Sequence, residues 1–293
     1  MKLCTHNGPF HADDVFAGAL LAFFYPQAEF VRTRDPAIMD ECDIVFDVGG
    51  IYDPARGRFD HHMADFDEHR ENGVVLSSFG LLWREYGLEY CEGDEELAGK
   101  VEKTLVDPID AVDNGQDLYK ISDLEVHPFT INSIVQAYRP SELDSFDFDD
   151  GYSDAVGWAG FMLERVKLRA KAKLEAERYT RSIMDDARDA KYVIFDKHVP
   201  YSSVTDDYPQ SLYALFPGTN KEWIIRAAPL EKGSTQNRKS LPEAWRGLED
   251  KELEAVCGVA GAKFCHRAGW IAGANTKDAA IKMVELAIAH SAR

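Results

Sequence analysis

The chain has 293 residues, a length that suggests two domains, and its hydrophobic fraction of 45% excludes a disordered or collagen-like chain. Its 33 basic and 51 acidic residues leave a formal net charge of −18, with a balance of −21 in residues 1–150 and +3 in residues 151–293. This distribution excludes a broad basic surface for nucleic acid, and the acidic residues either form a solvated surface or converge in part on metal ions.

The first part of the sequence predicts strands that alternate with helices. The predicted elements are a strand at Lys2–Thr5, a buried helix at Val15–Tyr25, a weak strand at Glu29–Thr33 and a buried parallel strand at 43–47. This alternation predicts a doubly wound, mainly parallel α/β sheet, in which ligands bind at the carboxyl ends of the strands. His6 and Asp47 both fall at such ends.

The later part predicts a long helix and a second, smaller α/β domain. Helices at Ser77–Tyr86 and Glu95–Val112 precede an acidic loop at 140–151, and apolar residues at a helical period predict one long helix or a helix pair at Ala155–Ala190. The remaining predicted elements are strands and a final helix, at Tyr192–Phe195, Trp223–Ala227 and Lys277–His290. We therefore expect a first domain at 1–150, a connecting helix at 151–190 and a C-terminal domain at 191–293.

The location of the protein is predicted from its apolar runs and its cysteines. The longest apolar run, Val15–Tyr25, is far shorter than the roughly 20 residues that a membrane-spanning helix needs. The N-terminus has no basic segment followed by an apolar one, so we expect no targeting peptide. Five cysteines without paired spacing argue against a disulfide framework and predict a cytoplasmic protein.

Four separated segments offer aspartate or histidine side chains of the kind that bind divalent metal ions. In chain order they are His6, His11, Asp13 and Asp14; then Asp47; then Asp60, His61 and His62; and finally Asp107, Asp110 and Asp113. Each segment alone is also explained by a helix cap, a turn aspartate, a polar turn or a helix end. Together, six or seven such ligands can hold two divalent ions, and histidine combined with carboxylate suits Mn²⁺.

The spacing of residues within the third and fourth segments indicates which side chains can bind the same ligand. In an extended segment, the side chain of His61 points opposite to those of Asp60 and His62. One histidine can therefore bind metal while the other faces a substrate, with Asp60 as its orienting partner. Asp110 and Asp113 are three residues apart and share a face of a helix, so both remain candidates for the last ligand.

The order of these segments resembles that in the DHH phosphoesterase superfamily. Their sequence motifs resemble those of its Myg-type metal-dependent hydrolases, a branch that includes RNA exonucleases. The resemblance covers nearly the whole chain. It is carried by THNGPFHADD, VRTRDP, CDIVFDVGG, RFDHH, LSSFG and IDAVDNG, and in the second half by LPEAWRGL and FCHRAGWIAGANTKDAA. The sequence departs from the usual residues of the branch at Asp14, Met63 and Ala64, which bears on substrate contacts.

The resemblance implies a role for each candidate residue. It implies a DHH-like N-terminal catalytic domain that binds two ions, and a smaller C-terminal domain that binds substrate. The implied metal ligands are His6, His11, Asp13, His61 and Asp113, with Asp110 as the alternative to Asp113 and Asp47 as the bridging carboxylate. His62 is expected to face phosphate with Asp60 beside it, and Arg238, Arg246 and His266 are expected to contact substrate.

We therefore expect a phosphoesterase that depends on two Mn²⁺ or Mg²⁺ ions. The expected activity is that of a 3′→5′ exonuclease on short single-stranded RNA or a related oligonucleotide, because the missing basic surface disfavours long nucleic acids. Two alternatives remain open. One is a phosphatase or pyrophosphatase that acts on a small phosphate compound, and the other is a non-catalytic metal-binding protein. No membrane partner is expected, and a homo-oligomer is compatible with the sequence.

Overall fold

The computed structural model describes residues 1–120 and 126–290, and the chain divides into two compact units between Lys171 and Ala172. Each unit contains a five-stranded sheet with helices, so the predicted α/β class is confirmed. Within the described ranges, every helix is either too short or too polar to cross a membrane.

The sheet of the first unit is mainly parallel and has the strand order β2-β1-β3-β5-β4. Its strands are β1 (Lys2–Thr5), β2 (Glu29–Arg32), β3 (Ile44–Phe46), β4 (Tyr52–Asp53) and β5 (Arg58–Phe59). Among these five strands, β4 and β5 pair antiparallel and the other neighbouring strands pair parallel. All three residues of β3 are buried, as expected for a strand that is covered on both faces.

The helices of the first unit agree with the predicted ones where apolar periodicity is strong. They are α1 (Ala12–Phe24), α2 (Pro36–Asp40), α3 (Ser78–Tyr90), α4 (Glu95–Val101), α5 (Asp107–Asp113) and α6 (Ile131–Gln136). A π-helical turn joins α4 to α5, so the predicted helix at 95–112 is nearly continuous. The turn directly precedes α5, where Pro108 has no N–H to donate to a regular helix.

The long predicted helix is a single helix, α7 (Phe148–Asp186), and it contains the division between the two units. It begins earlier than the sequence predicts, inside the segment that was expected to be a loop. The side chain of Asp147 explains this start, because it accepts hydrogen bonds from the backbone N–H groups of Asp149 and Asp150 at 2.9 and 3.0 Å.

The second unit has a mainly antiparallel sheet in the order β6-β7-β8-β10-β9. Its elements are β6 (Tyr192–Ile194), β7 (Tyr213–Pro217), β8 (Trp223–Ala227), α8 (Asp250–Cys257), β9 (Ala262–Cys265), β10 (Ile271–Ala274) and α9 (Lys277–Ala289). Apolar side chains of α8 and α9 pack in one core with the sheet, and the end of α7 packs in another. The sequence predicts β6, β8 and α9, and it leaves the other elements of this unit undefined.

Candidate metal centre

The topology of the first unit brings three of the four acidic and histidine segments to one edge of its sheet. His6 directly follows β1, Asp47 follows β3 and Asp60 follows β5, and these three parallel strands are neighbours. Their carboxyl ends therefore meet at the same edge, which is where ligands bind in sheets of this kind. Asp13, in the first turn of α1, and Asp113, at the end of α5, complete the cluster.

Asp47 lies at the centre of this cluster. Its Oδ2 is 3.2 Å from Nε2 of His6, and its Oδ1 is 3.1 Å from Nε2 of His61. The two oxygens thus face two different histidines. The residue has a φ of +58°, which is uncommon for a residue other than glycine, and the tight turn directs this carboxylate into the buried centre.

Two groups of metal-ligand atoms meet at Asp47. The first group contains His6, His11 and Asp47, and the second contains Asp13, His61 and Asp113; within each group the ligand atoms lie within 4.8 Å of one another. Two overlapping groups of the same size join Asp47 to His61 and His62 and to Asp13 and Asp14. Because His61 also contacts Asp47, the carboxylate of Asp47 belongs to the surroundings of both groups. Nitrogen and carboxylate oxygen are the ligand types that suit Mn²⁺ and related divalent ions.

Two buried carboxylates test whether a cation fits this centre. Asp13 and Asp14 are fully buried, and within the described part of the chain Asp13 Oδ1 and Asp14 Oδ2 have no hydrogen-bond partner. Nε2 of His6 lies 3.4 Å from Asp14 Oδ2 but makes no hydrogen bond to it. Burying carboxylates without partners is costly, so the residues present fit a bound cation.

Burial and the nearby negative charges also shift the pKa values of these carboxylates. Burial, together with the negative charge of Asp47, raises the pKa of Asp13 well above its usual value. The same two effects raise the pKa of Asp14 to about 7. Asp47 behaves in the opposite way, because hydrogen bonds from His6 and His61 outweigh its burial and hold its pKa below the usual range.

The two histidines of the Asp60-His61-His62 segment differ in exposure. The side chain of His61 is buried in the cluster, whereas that of His62 is 62% exposed. Asp60 Oδ1 lies 2.8 Å from Nδ1 of His62 and accepts the backbone N–H of His61. The hydrogen bond to Asp60 raises the pKa of His62, and it leaves Nε2 as the ring nitrogen that can meet a ligand.

The structure separates Asp110 from Asp113. Asp113 Oδ2 lies 3.4 Å from Nε2 of His61, inside the cluster. Asp110 instead accepts hydrogen bonds from Ser77 Oγ at 2.6 Å, from the N–H of Gly80 at 3.0 Å and from Arg70 at 2.6 Å. Asp110 therefore anchors the start of α3, and it belongs to none of the ligand groups within the described residues.

Sequence reasoning missed one side chain that contacts the cluster. Ser78, in the first turn of α3, donates a hydrogen bond of 2.9 Å from Oγ to Asp13 Oδ2. Asp110 holds the same turn, so it also fixes the serine that orients Asp13. The available signal was the LSSFG segment, whose two serines stand at the start of the helix α3.

The three substrate-binding candidates all lie in the second unit, and their side chains have partners within it. The guanidinium group of Arg238 donates to three backbone carbonyl groups in the segment 205–211, at 2.6 to 3.2 Å. Arg246 donates from Nε to one backbone carbonyl at 3.0 Å. His266 accepts a backbone N–H at 3.2 Å, and its ring lies 5.2 Å from that of Trp270. Their contact with substrate stays a prediction.

A cavity of about 470 Å³ lies elsewhere in the second unit. The guanidinium carbon of Arg226 lies 4.3 Å from the ring centre of Trp270 at its wall, and Lys232 lines it too. Neither cationic group has a hydrogen bond or ion pair to the residues that the structure describes. The other lining residues are small or polar, namely Ser202, Ser203, Ala227, Pro229, Gly233, Ser234, Thr235 and Asn237.

Comparison with known proteins finds similarity over nearly the whole chain. Residues 2–288 match MYG1_exonuc, described as "Uncharacterised protein family (UPF0160)". A MYG1 protein of Schizosaccharomyces pombe is 30% identical over 317 residues, covering 98% of this chain and 97% of its own length. The human MYG1 exonuclease is 31% identical over 326 residues, covering 98% and 86%. A MYG1 protein of Caenorhabditis elegans is 31% identical over 328 residues, covering 97% and 94%.

Proposed function

The chain belongs to the MYG1_exonuc family (UPF0160), and from this membership we propose that it is a divalent-metal-dependent phosphodiester hydrolase of the DHH phosphoesterase superfamily. Relatives named exonucleases support a nuclease. We propose a 3′→5′ exonuclease that acts on short single-stranded RNA or oligonucleotides in the cytoplasm. The observation that carries the proposal is the position of Asp47, whose two oxygens face the histidines of two ligand groups.

The ligand groups suggest how two Mn²⁺ or Mg²⁺ ions would be held. His6, His11 and Asp47 would hold one ion, and the residues that would hold the other are Asp13, Asp47, His61 and Asp113. Bound divalent ions supply a nucleophile from water at neutral pH and stabilise the charge that develops on phosphoryl oxygens. The unpaired, buried oxygens of the cluster support this assignment.

The side chains around the cluster have separate tasks in this proposal. His62 would present Nε2 to a phosphate oxygen or to the leaving oxygen, because Asp60 engages its Nδ1. Asp60 fixes the orientation of that ring and favours its protonated form. Ser78 orients Asp13, and Asp110 acts indirectly by holding the start of α3.

The second part of the chain would bind the substrate. We propose catalytic, connecting and substrate-binding segments at 1–150, 151–190 and 191–293. Arg238, Arg246 and His266 are the proposed substrate-binding residues. Arg226 and Lys232 add two cationic groups that line a cavity in the same unit. The net charge of −18 disfavours long polyanions and supports a short substrate.

Hydrolysis of oligoribonucleotides with Mn²⁺ tests the proposal. The wild type should release mononucleotides from the 3′ end, and Asp47→Ala should lose at least a thousandfold of the rate, whereas the exposed control Asp40→Asn should keep it. Equal rates for the wild type and Asp47→Ala would contradict the proposal. A preference for a single phosphorylated nucleotide over linked ones would favour the small-molecule phosphatase, and metal binding without turnover would favour a non-catalytic protein.

A further inference from the structure

The segment between β1 and α1, residues 7–11, carries the metal-ligand candidates of one group at its two ends. His6 precedes it and His11 closes it, so its conformation sets the distance between these two rings, whose centres are 6.0 Å apart. A loop rich in glycine and proline does not hold such a distance by itself. Two of its carbonyls have local partners, since Asn7 O lies 3.1 Å from Nδ1 of His6 and His11 O accepts the N–H of Val15 at 3.4 Å. The carbonyls of Gly8 and Phe10 are instead held by more distant parts of the chain.

Two distant arginines hold these carbonyls. Arg32, the last residue of β2, donates from Nη2 to the carbonyl of Gly8 at 2.6 Å. Arg139 follows α6 and donates from Nε to the carbonyl of Phe10 at 2.8 Å, and its Nη2 donates to the same oxygen. Hydrogen bonds from a charged guanidinium are stronger than neutral ones, and a fork of donors also fixes orientation.

The side chain of Arg32 is almost completely enclosed. It is 2% exposed, and its Nη1 also donates to the carbonyl of Phe148 at 3.0 Å and to Asp149 Oδ1 at 2.8 Å. Its guanidinium carbon lies 4.7 Å from the ring centre of Tyr152. One buried cation thus ties the segment 7–11 to the start of α7.

The ring of Phe10 completes this arrangement. It is fully buried, and the guanidinium carbons of Arg32 and Arg139 lie 5.5 and 5.9 Å from its centre. Tyr152 packs edge-on against it at 5.6 Å. Both arginines therefore contact the ring as well as a backbone carbonyl of the segment, which leaves the segment little freedom.

These contacts are confined to one of the two ligand groups. Among the described residues, the hydrogen bonds and ion pairs of the two arginines reach the segment 7–11 and the start of α7, and none reaches Asp13, His61 or Asp113. Asp13 has its own support in the helix backbone of α1 and in Ser78. The two groups are thus held by different parts of the fold.

We propose that Arg32 and Arg139 are positioning residues that hold the segment 7–11 in the conformation that brings His6 and His11 together beside Asp47. They thereby control the affinity of this ligand group for a divalent ion and leave the other group largely unaffected. The effect on only one of two bound ions rests on the proposed function, in which two ions bind. The effect of the arginines on the conformation of the segment 7–11 does not rest on it.

The first experiment uses the full chain without metal. Hydrogen exchange of the segment 7–11 is compared among the wild type, Arg139→Met, Arg139→Lys and Arg32→Lys, with Arg34→Met as the matched control because Arg34 is exposed in the same stretch of sequence. We expect hydrogen exchange in this segment to accelerate at least tenfold in Arg139→Met, Arg139→Lys and Arg32→Lys, while the backbone N–H groups of α3 and α9 stay protected. Unchanged exchange in the segment would overturn the proposal.

The second experiment counts Mn²⁺ ions bound by the same variants, using the EPR signal of the free ion. The wild type and Arg34→Met should bind two ions, whereas Arg139→Met should keep one and bind the other at least tenfold more weakly. Arg139→Lys should recover only part of the affinity, because it restores the charge without the fork of donors. Equal weakening of both ions, or no weakening, would overturn the selective role.

These readouts keep the two proposals apart. A wild type that binds two Mn²⁺ ions but hydrolyses no oligonucleotide would contradict the proposed function and leave the role of the arginines supported by exchange and stoichiometry. If the wild type hydrolyses oligonucleotides but hydrogen exchange of the segment 7–11 is unchanged in Arg139→Met and Arg32→Lys, the proposed function would be supported and the role of the arginines contradicted.

Discussion

Replacing Asp13 by asparagine should stabilise the metal-free protein while impairing its response to metal. Asp13 is fully buried near three other carboxylates, and burial together with the charge of Asp47 raises its pKa. Its Oδ2 accepts the hydroxyl of Ser78 at 2.9 Å, and an asparagine oxygen can accept the same hydrogen bond. The substitution therefore removes a repelling charge without removing that contact.

The size of the effect follows from the spacing of the carboxylates. The ligand atoms of Asp13, Asp14 and Asp47 lie within 4.8 Å of one another. Two unit charges at that separation repel by about 3.5 kcal/mol at an effective dielectric constant of about 20. Partial protonation already relieves some of this repulsion, so we expect a gain of about 1–3 kcal/mol, which corresponds to a Tm increase of roughly 2–10 °C.

Thermal unfolding in EDTA and in excess Mn²⁺ measures both effects. The wild type should gain stability from Mn²⁺, since a ligand that binds the folded state stabilises it. Asp13→Asn should have the higher Tm in EDTA and a smaller gain from Mn²⁺, while the exposed control Asp40→Asn should follow the wild type in both. A Tm in EDTA several degrees below that of the wild type would refute the reasoning, because Asp13 would then be a structural partner.

Three further predictions concern the surroundings of the cluster. Asp113→Asn should abolish hydrolysis with little change in urea unfolding. Asp110→Asn should lower the free energy of unfolding by about 1–3 kcal/mol, because it removes a buried, hydrogen-bonded ion pair with Arg70 while Asp107 and Glu102 still lie 3.1 and 3.5 Å from Arg70 Nε. Loss of hydrolysis in Asp110→Asn together with loss of stability in Asp113→Asn would exchange the two roles. Gly80→Ala should cost roughly 1–3 kcal/mol in the same unfolding assay, because an added Cβ would lie 2.0 Å from Asp110 Oδ2. The Tm in EDTA should fall as the pH rises from about 4 to about 7, since Asp14, with a pKa of about 7 when folded and 3.8 as its ordinary value, binds a proton that the unfolded chain releases. Asp14→Asn should flatten this fall, and a wild-type Tm that rises over this range would contradict it.

Part of the fold could be predicted because burial leaves a local pattern. The apolar run before Asp47 predicts a strand with its carboxylate at the end, and the strand β3 is there. The helix α7 follows from an unbroken helical period, although its start at Phe148 depends on capping by Asp147. Most of the second unit was undefined because short antiparallel strands leave weak patterns.

The site divides in the same way between local and distant information. Spacing on a helix assigns Asp110 and Asp113 to the same face, and only the position of α3 distinguishes them, since Ser77 and Gly80 bind one and His61 lies beside the other. A count of basic residues likewise cannot tell whether an arginine side chain is free or already bonded to the backbone.

The sequence by itself predicted the α/β class of this protein, its family and the histidine and aspartate residues that can bind divalent ions. The tertiary structure alone decided how these residues are grouped. It placed Asp47 between two histidines, and it brought Arg32 and Arg139 to the same loop although they are far apart in the chain. The physical reason is that residue types fix which interactions are available, whereas distances between separate segments depend on how strands and helices pack.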